Sequence, residues 1–411
     1  MAQNSNEQTG KAQIAQTAQA TPTEYARRLA AARARIAAAD LDGLLISSQY
    51  NRRYLTGFTP TDHDITESAG LALVTPHTFA LLTSTFALNG IEHEIAPSGV
   101  TALLTDTKLI TQVLVEALKA DGAVKRLGFE QDRMAYGTWE QFRKALDDAN
   151  TGVELVPTDD LIVHVRASKD DAEIAVMRRA AAIANDAFAL LLNDLHVGMT
   201  ERQIAATLER HMIDLGADEP SFPTIVACGK GGALPHWVPS DRAAQAGEPI
   251  LIDFGCRVDG YCSDLTRTIC IGEPDAKLVE IYSIVRRAQD AAVEALQSGV
   301  RRGRDVDGAA RKVIADAGYG EEFMHGLGHG VGLAVHELPA AGWLRINTPE
   351  MDERLSKVEQ IGADNVVTNE PGIYITGWGG VRLEDMLLVH ADGVELFTDR
   401  NPEQIVSVPV R

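Results

Sequence analysis

The chain has 411 residues, 38 of them basic and 58 acidic, for a formal net charge of -20 at pH 7. A surface of that sign argues against nucleic acid or anionic membrane as a partner. The length exceeds what one hydrophobic core usually organises, so two domains are expected.

Residues 1–20, "MAQNSNEQTGKAQIAQTAQA", are polar and low in complexity, with no basic stretch leading into an apolar core. They read as a disordered tail rather than a secretory signal. "YARRLAAARARIAAA", Tyr25 to Ala39, is rich in alanine and arginine and predicts a helix. A buried strand, "DGLLIS", follows the turn at Asp42-Gly43. "NRRYLTGF" and the apolar segments "GLALVT" and "FALLTS" come next, in an α/β unit running to about Val156. The most apolar stretch, Ser68 to Ile91, is broken by Pro76, His77 and Asn89 and does not read as a membrane span. A junction near Asp159 to Ala167 divides a domain at 21–160 from one at 161–411. Asp170 and Asp171 open a long amphipathic helix, where acidic residues suit the dipole. A second helix spans Thr200 to Leu215, with Thr200 and Gln203 as a capping box. Glycine-punctuated strands, a helix from Ala276 to Gln297 and further strands complete a mixed α/β (α+β) chain without short repeats. Cys228, Cys256, Cys262 and Cys270 form no C-x-x-C pair and read as free thiols of a reducing cytoplasm.

Within "PILIDFGCRVDGYCSDLTRTICI", Asp253 ends an apolar run that reads as a buried strand, an expensive place for an unpaired carboxylate. Asp259-Gly260 is a two-residue hairpin signal that sets Val258 against Tyr261. In that register Gly255 faces Asp264, and Asp253 lies one diagonal step away on the same face. Two carboxylates then point together from neighbouring strands, an arrangement needing a cation or a shared proton.

In "HGLGHGVGLAVHE", His325, His329 and His336 would share one face of a helix, but four interior glycines make that helix too costly. The segment is expected to be extended or looped, with glycines where something approaches the backbone. In "NVVTNEPGIYITGWGGVRLEDMLLV", Glu370 ends an apolar strand and a second strand carries Glu384 or Asp385, between which alternation cannot choose. Asp253, Asp264, one histidine, Glu370 and the second-strand acid are too acidic for a single zinc site. They suit two divalent metals with bridging carboxylates, manganese first, with cobalt, iron and zinc as alternatives.

With "IDFG…GYCSDLTRT", "HGLGHGVGLAVHE", "NEPGIYI" and "RLED" in this order, the chain resembles the pita-bread metallopeptidases: prolidase, aminopeptidase P and methionine aminopeptidase. The resemblance covers about Asp160 to the end and extends weakly to the N-terminal domain through "NRRYLTGF". That domain and "ALPHWVPSDR" point away from methionine aminopeptidase. The resemblance implies a creatinase-like N-terminal α/β domain followed by a pita-bread catalytic domain. It makes His329 the metal-ligating histidine and chooses Glu384 over Asp385. Asp253 would chelate one metal, His329 and Glu370 the other, and Asp264 and Glu384 would bridge.

His336 and His236 are then groups that hydrogen-bond substrate and tetrahedral intermediate, and His325 lines the site. The implied chemistry is hydrolysis of Xaa-Pro bonds by a metal-bridging hydroxide, with Glu370 moving the proton. Arg382, two residues before Glu384, would share its face and meet a substrate carboxylate. Tyr374 would orient the site, and Cys256 and Cys262 are small apolar fillers. A prolidase is favoured over an aminopeptidase P by the short N-terminal domain, and a cytoplasmic homodimer is expected. A metal-independent creatinase-like amidinohydrolase would lack the full ligand set, and a silent binding module would have lost ligands. The long charged stretch between Glu337 and Glu370 reads as a lid or dimer contact.

Overall fold

The computed structural model describes residues 20–159, 161–342 and 348–411. The expected tail lies outside them except for its last residue. The first helix runs Pro22–Ala38. It starts before the alanine-rich run because Thr21 and Glu24 cap it reciprocally and Pro22 fits the first turn.

The N-terminal part is a six-stranded mixed sheet in the order Thr101–Leu104, Phe79–Thr83, Gly70–Val74, Gly43–Ile46, Arg126–Glu130, Glu154–Thr158. Alternation sorts its side chains between two cores. Leu45, Leu71 and Leu73 pack with Leu114, Leu118 and Phe142 of the helices Ile110–Asp121 and Tyr136–Asp148. Leu44, Ile46, Ala72 and Val74 belong instead to an apolar cluster that includes Ile36 and continues to Met177, Ile252 and Phe254.

The rest of the chain pairs helices with curved sheets. Helices Asp171–Asp194 and Glu201–Asp214 pack together and against the strands Ile225–Cys228 and Cys256–Val258. Both helices begin at the expected capping residues, Asp170 with Glu173 and Thr200 with Gln203. Helices Ala276–Gln297 and Gly303–Asp316 form a second pair. One sheet has the order Val406–Val408, Leu265–Ile271, Ile250–Phe254, Ile225–Cys228. Another has the order Glu337–Ala341, Gly328–Gly330, Asn365–Asn369, Asp385–Val389, Val394–Leu396. No helix among the described residues is long and apolar enough to cross a membrane.

Two ribbons position the acidic residues. In the first, Asp259 (φ 46°) and Gly260 (φ 83°) make the turn, and Val258 faces Tyr261 as expected. The same register carries through to Phe254 against Leu265 and Asp253 against Thr266. Between these pairs a Cβ on Gly255 would lie 1.9 Å from the Ser263 carbonyl oxygen, so the strands pinch there. Asp264 consequently steps out of the ladder, a departure from the strand position expected for it, and its N–H meets Met386 Sδ at 3.3 Å.

In the second ribbon Glu370 follows the strand Asn365–Asn369, and the hairpin Gly372–Ile375 with Gly379–Arg382 forms its own small sheet. Glu384 does not sit in a strand, contrary to the expectation. It occupies the break between Arg382 and the strand Asp385–Val389, where its N–H donates to the Thr266 carbonyl at 3.1 Å.

The stretch after Glu337 docks on its own chain in the parts that are described. Glu359 accepts from Arg302 and Arg304, each at 2.8 Å, and Gly303 N–H donates to the Glu359 carbonyl. Among the described residues none from 338–369 lines the acidic cavity, so the lid reading finds no support in them.

Candidate metal centre

The two ribbons and the histidine segment meet in a cavity of about 710 Å³. Asp253, Asp264, His329, Glu370 and Glu384 line it, together with His236, His325, His336 and Arg382. The histidine segment is extended and looped rather than helical, with His329 in the short strand Gly328–Gly330. Asp264, His329 and Glu384 each offer an atom within 4.8 Å of the others. His329 Nε2 stands 3.3 Å from Glu370 Oε1 and 3.7 Å from Asp264 Oδ2.

Hydrogen bonds fix how these groups point. His329 Nδ1 lies 3.0 Å from the Gly330 carbonyl and donates to it, which turns Nε2 toward the acids. Thr368 Oγ1 accepts from His329 N–H and donates to Glu370 Oε1. Thr266 Oγ1 donates to Glu384 Oε2 at 2.7 Å and accepts from Arg382 Nε. Asp385, the alternative to Glu384, faces away, bonded to Gln289, Thr398 and Arg267.

The electrostatics are those of an incomplete set. Burial lifts Asp264 well above the usual carboxylate range, and Glu384 and Asp253 add to the shift. Burial and the charge of Glu370 do the same to Glu384. Asp253 is also raised by burial, with Arg382 opposing. Its Oδ1 is buried without a hydrogen-bond partner. Burial would raise Glu370 too, but the hydrogen bond and charge of His329 bring it down to about 2. Burial alone would depress His329, and Glu370 reverses that. Clustered carboxylates, an orphaned oxygen and an imidazole nitrogen aimed at them fit divalent cations.

Arg382 lines the cavity, as its position two residues before Glu384 implies, and its side chain is 4% exposed. Nη2 donates to Asp253 Oδ2 at 2.6 Å and Nη1 to the Tyr374 hydroxyl at 2.9 Å.

Tyr374 is buried and its hydroxyl lies 2.8 Å from His325 Nε2. His325 Nδ1 is 2.7 Å from the Gly326 carbonyl, so Nδ1 donates there and Nε2 accepts from the tyrosine. Burial keeps His325 below its usual value and pushes Tyr374 up to about 12. His336 is exposed on the cavity wall, its ring edge-on to His329 with centroids 4.3 Å apart. His236 is also exposed and lines the same cavity. Cys256 and Cys262 are buried and unpaired and do not line the cavity; the Cys256 thiol donates to the Ala180 carbonyl.

Several residues of the site have no mark in the sequence. Thr266 and Thr368 look like ordinary strand residues. Glu201 looks like a first-turn acid that suits a helix dipole, yet it is fully buried. Its Oε1 accepts from Cys228 N–H, and its Oε2 from Trp237 Nε1 and from the N–H and hydroxyl of Ser240. It thereby ties down the segment that carries His236. Trp237 with Phe222, Pro223 and Val238 forms an apolar wall of the cavity.

Comparison with known proteins points to one family. The profile of Metallopeptidase family M24 matches residues 175–391, and that of the Creatinase/Prolidase N-terminal domain matches 28–168. The chain is 36% identical over 365 residues to an Xaa-Pro dipeptidase of Pyrococcus horikoshii, covering 89% of this chain and 95% of that one. The structure of an Xaa-Pro dipeptidase from Bacillus anthracis superposes with a TM-score of 0.81 at 34% identity, covering 93% and 99% of the two chains. An X-Pro aminopeptidase from Thermotoga maritima superposes with a TM-score of 0.76 at 32% identity, covering 90% and 98%.

Proposed function

The chain belongs to metallopeptidase family M24, and from that premise we propose that it hydrolyses Xaa-Pro bonds, dipeptides first, at a centre of two divalent ions. In this reading Asp253, Asp264, His329, Glu370 and Glu384 would hold the ions between them. The observation that carries it is the uncompensated acid set of the cavity, with the buried Oδ1 of Asp253 left without a partner. Manganese suits ligation so rich in oxygen, with cobalt, iron and zinc as alternatives. Bound ions would supply Lewis acidity toward the peptide carbonyl and a water acidic enough to attack near neutral pH.

The chain's own residues supply orientation and proton transfer. Glu370 Oε1 accepts from Thr368, so Oε2 takes the proton of the attacking water and passes it to the leaving nitrogen. His336, held below its usual pKa by burial, faces the cavity as a neutral donor to the developing oxyanion, with His236 beside it. The wall of Phe222, Pro223, Trp237 and Val238 accepts the apolar pyrrolidine ring and keeps water from it. Arg382 holds Asp253 Oδ2 and opposes the effect of its burial.

One observation favours a second reading. With Arg382 committed to Asp253, the free carboxylate of a dipeptide loses the partner expected for it. That would suit an Xaa-Pro aminopeptidase acting on longer peptides. Turnover of Xaa-Pro dipeptides, Xaa-Pro-Yaa tripeptides and Xaa-Ala controls, with elemental analysis, decides. Dipeptide cleavage that disappears on chelation is expected. Cleavage of tripeptides alone moves the assignment to an aminopeptidase, and equal turnover of Xaa-Ala removes proline from it. Full activity without residual metal overturns the metal centre.

A further inference from the structure

We propose that Glu337 is a positioning residue that aims His336 into the cavity, and that the N-terminal domain holds it in place through Arg166 and Asn51. The inference rests on the peptidase reading in one respect, that His336 meets the substrate.

The backbone does not fix His336 by itself. The strands Gly328–Gly330 and Glu337–Ala341 pair in register at His329 with Ala340, but the next pair is Gly330 with Glu337. The register shifts there, and residues 331–336 loop out of the ladder. His336 is the last residue of that loop and is joined directly to Glu337, so whatever anchors Glu337 also fixes where His336 leaves the strand to line the cavity.

Glu337 is held strongly. Its side chain is 2% exposed and lies between two cations of the segment joining the domains. Lys169 Nζ stands 2.7 Å from Oε1, and Arg166 Nη2 binds Oε2. Both cations are themselves buried, at 0% and 3% side-chain exposure. The loop folds over the carboxylate: a Cβ on Gly332 would lie 2.2 Å from Glu337 Oε1, and Ala334 N–H points at Oε2.

The clamp continues into the other domain. Arg166 Nη1 donates to Asn51 Oδ1 at 2.7 Å, in the helix Gln49–Thr56. Asn51 Nδ2 donates to Glu130 Oε1, at the end of the strand Arg126–Glu130. Glu130 is fixed in turn by the N–H groups of Ser47 and Ser48 at 2.7 and 2.6 Å. Four buried polar side chains thus connect the N-terminal sheet to the residue beside His336. Each link joins buried groups, so displacing one member leaves its buried partner unpaired, and the chain of bonds transmits position. The N-terminal domain is on this account part of the catalytic apparatus, although none of its described residues lines the acidic cavity.

The test is a double-mutant cycle between Glu337→Gln and His336→Ala, read as kcat, KM and metal content. Glu337→Gln should lower kcat about 10- to 100-fold with metal content and KM little changed, the size expected when a reacting group is misplaced by a fraction of an ångström to one ångström. In the His336→Ala background it should cost less than about 2-fold, since the group it positions is gone. Wild-type kcat in Glu337→Gln, or the same loss in both backgrounds, overturns the proposal. If Glu337→Gln does not fold, Asn51→Ala carries the same cycle from the other domain, with an expected loss of about 3- to 10-fold. Should the wild type cleave no peptide at all, the peptidase reading falls first. The imidazole proton resonance of His336, assigned by its absence in His336→Ala, then still decides. A shifted resonance in Glu337→Gln and Asn51→Ala supports the clamp, and an unmoved one overturns it.

Discussion

Glu337 and Asp264 are hidden to nearly the same degree, with 2% and 6% of their side chains exposed, yet the chain gives them opposite company. Burial would raise Glu337, and Arg166 and Lys169 more than reverse it, so its pKa ends below the ordinary value. Asp264 is pushed far the other way, by burial and then by Glu384, Asp253 and Glu370. Asp170, paired with Arg27 and Arg28, and Glu359, paired with Arg302 and Arg304, belong with Glu337. Folding supplies the counterion at the domain seam. In the cavity, among the described residues, it supplies Arg382 and the histidines against four carboxylates. Burial alone therefore does not decide where such an acid titrates; the charges around it do.

The distinction breaks most visibly at Asp264. Asp264→Asn removes one of several crowded like charges, so the metal-free protein should resist denaturant better than wild type. The same change should empty the site and lower activity more than about 100-fold, beyond what loss of a supporting group costs. Denaturant titration of the metal-free protein and elemental analysis check both halves. Retained metal, or a less stable metal-free protein, would erase the contrast with Glu337.

Arg382 stands at the border, a cation of the chain inside the cavity. Arg382→Ala leaves Asp253 without its partner and should lower kcat/KM about 10- to 100-fold, as loss of a group supporting a ligand does. The loss should be equal for Xaa-Pro dipeptides and Xaa-Pro-Yaa peptides. A markedly larger loss on dipeptides would return Arg382 to the substrate carboxylate, the role its position in the sequence implied.

The smallest effect sharpens the comparison on the seam side. Glu173 is buried, accepts from Tyr261 Oη at 3.0 Å and from Asp170 N–H at 2.9 Å, and lies 3.6 Å from Arg28. Lys169 also bears on it, and Asp170 opposes. Burial wins, lifting it from 4.5 to about 7. A carboxylate raised on folding contributes stability that is complete below its unfolded value and lost as pH rises through its folded value. Between 4.5 and about 7 this contribution should fall, by roughly 1 kcal/mol per pH unit at most. Glu173→Gln should show no such loss in that window, read as denaturant midpoints across pH. Parallel wild-type and variant curves would place Glu173 with the fully paired acids.

What the sequence discloses follows the range of the interactions. The caps at Asp170 and Thr200, the helix from Ala276 to Gln297 and the register of the Asp259-Gly260 hairpin are local, and the chain displays them in neighbouring residues. The cluster of acids around His329 is legible because strand ends and apolar flanks mark where a carboxylate is expensive. The off-strand positions of Asp264 and Glu384 are not, since the pinch at Gly255 and the break after Arg382 arise from packing between ribbons. Nor are the partners of Arg382, which lie 129 and 116 residues away at Asp253 and Thr266. Glu201 and Glu337 show the same limit: each looks like an unremarkable acid until the fold brings its donors to it.

The four cysteines carry a practical consequence. All are buried and unpaired, and burial pushes Cys228 up to about 12 and Cys256 and Cys262 up to about 11. The thiolate is the reactive species, so in the closed molecule an alkylating reagent finds almost nothing to attack. Each alkylation event then records a moment when a segment of the protein has come open. Cys256 and Cys262 ride on the aspartate ribbon, while Cys228 and Cys270 lie in the sheet behind it. Native labelling resolved by mass would give a separate opening clock for each, with no probe added to the chain.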